Sequence, residues 1–354
     1  MYKAPFPYFG GKSEIAAAVW SRLGDTPNYV EPFFGSGAVL LNRPHWRPDK
    51  SMLETVNDAS GFIANFWRAV QSDPDAVTQY ADRPVNENDL HAIHGWLVRQ
   101  ADGLAPRLEG DPDYYDPKIA GWWCWGASCW IGSGWCSGKG PWQQVETASG
   151  WQLVHLGDSG QGVNRQLVHL GDSGQGVNRQ RVHLGNSGQG VNRQRVHLGN
   201  SGRAGEGEQG LYAWIQALSE RLSRVRVCCG DWSRVCGPTP TFKNGLTSVF
   251  LDPPYTAKAG RAADLYEVDC LEVGHVVAAW CKANSDNPLL RIALCGYEGE
   301  YDLPGWECLD WKAHGGYGGQ GDGPGRANAH RERIWFSPHC LRPTAYKNLS
   351  LFAD

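Results

Sequence analysis

Apolar residues recur along this chain with two periods. Ile15, Val19 and Leu23 stand four apart, as do Phe62, Phe66 and Val70, while Leu211, Ile215, Leu218 and Leu222 share one face. Such spacing lines up side chains on one side of a helix. It predicts helices after Ser13 (a candidate cap), after Asn57-Asp58, and over 211–222, with shorter helical stretches at 38–41 and 89–100. Between them lie short apolar runs, at 28–30, 224–229, 246–251, 289–295, 306–311 and 333–337, which predict strands. Strands alternating with helices predict an α/β fold, a mainly parallel sheet covered on both faces.

The pattern breaks between residues 71 and 210, which read as an insertion into a domain made of 1–70 and 211–354. A tryptophan-rich segment spans 122–151, with Trp122, Trp123, Trp125, Trp130, Trp135 and Trp142. Glycine and cysteine interleave with the rings as in a compact packed unit, which favours a second hydrophobic core over an aromatic surface that wedges bases. A tandem repeat of period 14 follows over 152–202, restarting at Gln166, Gln180 and Gln194. Each copy offers two β-prone pieces around a Gly-Asp-Ser-Gly or Gly-Asn-Ser-Gly turn. The recurring Val-His-Leu favours stacked or hairpin β structure over a flexible glycine-rich loop. Residues 152–203 carry six arginines, Arg165, Arg179, Arg181, Arg193, Arg195 and Arg203, against Asp158 and Asp172. It reads equally as a solvated decoration or as an arm that meets phosphate.

Composition narrows the function classes. The 354 residues suffice for one large core or a core plus a second module. A formal net charge of −4 gives no global nucleic-acid signal, so any attraction to DNA needs a local patch. No apolar run is long enough to span a membrane, and the N-terminus lacks a signal-peptide pattern, so a cytoplasmic location is expected. Eleven cysteines would there stay reduced. Cys-x-x-Cys is absent, and His91 and His94 lack a matching pair, so buried small residues are expected rather than a metal site.

Two stretches carry chemistry. In such a sheet ligands bind beyond the carboxyl ends of strands. Glu31-Pro32-Phe33-Phe34-Gly35-Ser36-Gly37 follows a predicted strand and opens a helix. Glycine there lets the backbone approach a nucleotide-like cofactor, and the helix end presents N–H groups. Asp58, after the next strand, can accept ribose hydroxyls or cap a helix. Asp252-Pro253-Pro254-Tyr255 is far more specific, since a given tetrad arises by chance in only about a few chains per thousand of this length. Its prolines stiffen the turn and lack N–H donors. The Asp252 carboxylate and the Pro253 carbonyl can therefore accept both hydrogens of an amino group, and Tyr255 offers a face for a base.

With these residues the chain resembles the Dam-type DNA adenine methyltransferases. Pro7-Tyr8-Phe9-Gly10-Gly11-Lys12 resembles their opening motif, Val30 to Gly37 their cofactor loop, Asn57-Asp58 their ribose-binding acid, and Asp252 to Tyr255 their catalytic tetrad. The order along the chain agrees. The resemblance covers roughly 1–70 and 211–340. It implies a Rossmann-like methyltransferase sheet and S-adenosylmethionine as methyl donor, held by Tyr8, Lys12, Glu31, Phe33, Gly35, Gly37, Asp58, Asp231 and Asp252. It also implies catalysis by Asp252, Pro253, Pro254 and Tyr255 without a metal, and double-stranded DNA as substrate, with the 71–210 insertion as target-recognition region. Tyr8 stands where tryptophan is common, and the inserted region does not resemble the best-known members, so no target sequence carries over.

The expected reaction is methylation of adenine at N6 after the base is flipped from the stack. The rival readings are cytosine-N4 methylation, where Ser more often leads the tetrad, and a catalytically silent DNA-binding module.

Overall fold

The computed structural model describes residues 2–8, 11–47, 52–130, 135–136, 142–147, 150–155, 210–255, 272–311 and 330–343. In chain order the elements are α1 (Ala16–Leu23), β1 (Asn28–Glu31), α2 (Ala38–Leu41), β2 (Leu53–Asp58), α3 (Gly61–Ser72), α4 (Pro74–Ala81), α5 (Glu87–Gly110) and α6 (Pro117–Cys129). Then come β3 (Trp142–Thr147), β4 (Gly150–His155), α7 (Leu211–Leu222), β5 (Val225–Cys229), β6 (Thr247–Leu251), α8 (Val273–Ala283), β7 (Leu290–Tyr297), β8 (Glu307–Asp310) and β9 (Glu332–Phe336).

Seven strands form one mixed sheet in the order β5-β2-β1-β6-β7-β9-β8. The first five run parallel, and β9 is antiparallel to both of its neighbours. Neighbouring side chains along a strand point to opposite faces. Tyr29, Phe250, Cys295 and Ile334 accordingly join one apolar cluster, and Val30, Val249, Leu294 and Trp335 the other. Both faces are covered, which is why these strands read as continuous apolar runs.

Chain direction across the sheet reverses between β1 and β6. From β1 the chain builds outward through β2 to β5, then returns to place β6 on the other side of β1 and continues to β7. A crevice opens beyond the carboxyl ends of strands at such a switch. The glycine turn leaves β1 and the Asp-Pro-Pro-Tyr tetrad leaves β6, so both stand at this crevice.

Several helix starts follow local chemistry. Asp73 caps α4 and Asp116 caps α6, each followed by proline at the first helical position, and Asn86 caps α5. Ser13, expected to cap the first helix, does not: α1 begins at Ala16 without a side-chain cap. α5 extends well beyond the expected 89–100, through Pro106. Its second half buries Leu104 and Leu108, and this packing outweighs the local proline penalty.

The tryptophan segment is corrected most. Trp122, Trp123 and Trp125 lie on α6, and Trp123, Trp125 and Trp130 are buried in the same cluster as Phe6, Phe66 and Trp67. Trp123 meets Phe6 with ring centroids 4.8 Å apart. These rings extend the core beside the sheet rather than building a second one. The His-x-x-His pair belongs to this packing: His94 stacks on Trp130 at 4.7 Å and its Nδ1 accepts the Cys136 N–H. Burial pushes its pKa down to about 4.

α7, which follows the insertion, is tied to the sheet by a buried ion cluster. Arg221 reaches both carboxylate oxygens of Glu54 on β2, at 2.8 and 2.9 Å, and Arg43 adds a third contact at 3.0 Å. β3 and β4 form an antiparallel hairpin, whose second strand contains the start of the first repeat copy. The remaining repeats lie outside the described residues. Among the described residues no helix is long and apolar enough to cross a membrane.

Candidate active site

The turn after β1 needs its glycines. Gly35 and Gly37 have φ of 48° and 64°, the left-handed region open to glycine at little strain. A Cβ on Gly35 would lie 2.5 Å from Tyr8 Cε1, so the Tyr8 ring rests directly on the glycine backbone. The Trp67 indole donates to the Gly35 carbonyl at 2.9 Å and closes the other side.

Asp58, the last residue of β2, braces this turn. Its Oδ2 accepts the Gly35 N–H at 2.8 Å and its Oδ1 the Ser60 N–H at 2.9 Å. Burial raises its pKa to about 6, against the pull of those N–H groups. The Phe34 N–H adds a third favourable contact, and since a carboxylate has about four acceptor positions, about one remains. The adjoining Asn57 amide donates to the Pro32 and Gly230 carbonyls, stitching the β1 and β5 loops together.

Glu31 faces inward. Its Oε2 accepts from the Tyr29 hydroxyl at 2.8 Å and from the Leu40 N–H at 3.2 Å, and burial pushes its pKa up to about 8. α2 is a single turn, and one of its N–H groups already serves Glu31, so the open helix N-terminus expected there is reduced. Phe33 stacks on Trp232, with centroids 6.2 Å apart and planes at 25°. Asp231, exposed beside Trp232, accepts the Ser233 N–H at 2.9 Å and the Ser233 hydroxyl.

Across the crevice stands the tetrad. Lys12 Nζ lies 2.9 Å from Asp252 Oδ2, with the Lys12 side chain almost fully buried and that of Asp252 21% exposed. The ammonium sits between two rings, 5.5 Å from the centroid of Tyr255 and 5.8 Å from that of Trp311. Burial works against its charge, but Asp252 and Glu332 outweigh that effect and raise the Lys12 pKa. The Tyr255 hydroxyl donates to Glu332 Oε2 at 2.6 Å, and its ring meets Tyr297 edge-on at 4.4 Å. Pro253 is buried and Pro254 half-buried between these anchored ends.

One segment joins the two halves. Tyr8 lies on the glycine turn, Gly11 sits beside Ser36, and Lys12 reaches Asp252. Phe9 and Gly10 lie outside the described residues. The structure therefore gathers Tyr8, Lys12, Gly35, Gly37, Asp58, Asp252 and Tyr255 at one end of the sheet, with Phe33 and Asp231 at its β5 side and Glu31 beneath the turn.

Three neighbours went unseen in the sequence: Glu332, Tyr297 and Trp311. Glu332 and Tyr297 stand at strand ends, where a charged or aromatic residue carries no distinctive pattern. Trp311 is buried, and its indole N–H has no acceptor among the described residues. Among the described residues no group of three His, Cys, Asp or Glu side chains gathers as a metal site.

No curated protein matches the chain. Residues 8–93 match the family of the D12 class N6 adenine-specific DNA methyltransferases. The matched stretch holds Tyr8, Lys12, the glycine turn and Asp58; the tetrad lies beyond it. This match indicates an adenine-specific DNA methyltransferase, similar over residues 8–93 to the D12 class.

Proposed function

We propose that the protein transfers a methyl group from S-adenosylmethionine to the N6 amine of an adenine flipped out of double-stranded DNA. The observation that carries this reading is the Lys12–Asp252 pair. It couples the tetrad after β6 to the segment that lies on the glycine turn after β1.

The residues fit such a donor. Glycine at position 35 lets the Tyr8 ring pack directly on the turn, so Tyr8 and the turn together form one wall for a nucleoside. Asp58 keeps acceptor capacity for a ribose hydroxyl, and Phe33 with Trp232 offers an aromatic wall beside Asp231. The Trp311 N–H, which has no acceptor among the described residues, supplies a donor for a ligand acceptor. When bound, S-adenosylmethionine supplies an electrophilic methyl group on a sulfonium.

The chain's own work is to grip and aim. The amino group of a stacked adenine is out of reach, so the base is extruded first. Lys12 engages Oδ2 of Asp252, and no described residue engages Oδ1, which accepts one amine hydrogen. The Pro253 carbonyl accepts the other. The nitrogen lone pair is thereby held away from both acceptors, and Tyr255 limits the plane of the base. Such positioning lowers the barrier without covalent participation by the protein. The 71–210 region, which leaves and rejoins the sheet between α3 and α7, is read as the target-recognition region.

The test is to incubate the protein with plasmid and S-adenosylmethionine, digest the DNA and identify methylated nucleosides by mass. N6-methyladenine is expected with the wild type and none above background with Asp252→Ala of unchanged circular dichroism. N4-methylcytosine, or an active Asp252→Ala, would refute the proposal.

A further inference from the structure

Tyr255 is anchored more firmly than a stacking platform needs for burial alone. Its hydroxyl bonds Glu332, its ring edge meets Tyr297, and Lys12 stands over the ring. Glu332 and Tyr297 are register partners on the antiparallel pair β9–β7. One ladder position thus holds both the hydroxyl and the ring edge. Glu332 is 6% exposed. A buried carboxylate persists only with partners, and here these are the Tyr255 hydroxyl and the charge of Lys12. An O–H···O bond of 2.6 Å is in the short, charge-assisted range. Glu332 lies outside the family match, and the grip on the amine makes no use of it.

We propose that Glu332 is a positioning residue for the target base, acting by fixing the plane of Tyr255. This rests on the reading of the tetrad as the corner that grips the flipped base. Without the hydroxyl anchor the ring swings about its side-chain torsions and the base moves with it. A displacement of about 1 Å in a reacting group lowers the rate by about a hundredfold.

The experiment measures steady-state methylation of plasmid DNA by the full chain and by Glu332→Ala, Glu332→Gln, Tyr255→Phe and the double variant Glu332→Ala/Tyr255→Phe. Glu332→Ala and Tyr255→Phe are each expected to lower kcat by about 10- to 100-fold, with KM for DNA changed less than about threefold. The double variant should be no slower than the slower single one, because both changes delete the same bond. Glu332→Gln, whose amide oxygen can still accept, should recover most of kcat. Wild-type kcat in Glu332→Ala, or losses that multiply in the double variant, would overturn the proposal. If Glu332→Ala fails to fold, Tyr255→Phe decides, since it keeps the ring and removes the bond; unchanged kcat there overturns it equally. An active Asp252→Ala would instead defeat the underlying reading of the tetrad, and this inference with it.

Discussion

Lys12 Nζ and Asp252 Oδ2 lie 2.9 Å apart, joining the loop before α1 to the loop after β6. The pair does two jobs. On the proposed reading it orients the carboxylate that grips the amine, and it fixes the segment that covers the glycine turn. Lys12→Met keeps the length of the side chain and removes the charge. Methylation should fall by at least about a hundredfold, as expected for a misaligned reacting group. Lys12→Arg should not restore it, because a planar guanidinium does not fit a site shaped for a compact ammonium. Single-turnover rates with each purified variant check this; near-normal turnover in Lys12→Met would show that Asp252 needs no such partner.

Gly35→Ala tests the cradle. The new methyl would meet Tyr8 at 2.5 Å on a backbone at φ 48°. A stability loss of about 1–2 kcal/mol is expected from the left-handed conformation alone. Donor binding, followed by calorimetry, should drop with it. Adding Tyr8→Ala should relieve the collision but not the backbone strain, so partial recovery of stability is the expected result.

Glu31 gives a pH dependence with a definite sign. Burial lifts its pKa from the ordinary 4.5 to about 8 in the folded protein. Between those values the native state holds a proton that the unfolded chain has lost. Stability from this group is therefore fully present below about pH 4.5 and declines as pH rises, until it is lost above about pH 8. Glu31→Gln keeps an oxygen for Tyr29 and Leu40 and removes the titration. Chemical denaturation across pH 5–9 should show the variant gaining on the wild type as pH rises. A difference that stays flat would mean that Glu31 ionises in place without penalty.

The Glu54 cluster joins the returning chain to the sheet. Glu54 receives three hydrogen bonds from Arg221 and Arg43, all inside the core. Glu54→Ala leaves two buried guanidinium groups without their common acceptor. Removing one partner of a buried ion pair destabilises by about 3–5 kcal/mol. Thermal melting should show a large fall, whereas replacing exposed Arg234, paired with Glu109 at the surface, should change little.

Much of the sheet is legible in the one-dimensional pattern. The runs at 246–251 and 289–295 are continuous because both faces of their strands are covered, and they appear as β6 and β7. The glycine turn and the tetrad are legible because each is a local device: left-handed backbone demands glycine, and a rigid corner demands proline. Helix lengths are less legible. α5 runs past its apolar stripe because packing against the core outweighs propensity, and the tryptophan segment joins an existing core because only folding brings Phe6 and Trp123 together.

What the sequence by itself determined is therefore the alternation of elements and the two short motifs, since both follow from forces between near neighbours in the chain. What only the tertiary structure decided is their company: Lys12 on Asp252, Glu332 on Tyr255, Asp58 on Gly35. Those contacts join residues distant in sequence through single hydrogen bonds or ion pairs. Such pairings leave no period along the chain, and they exist only once strand order sets one loop beside another.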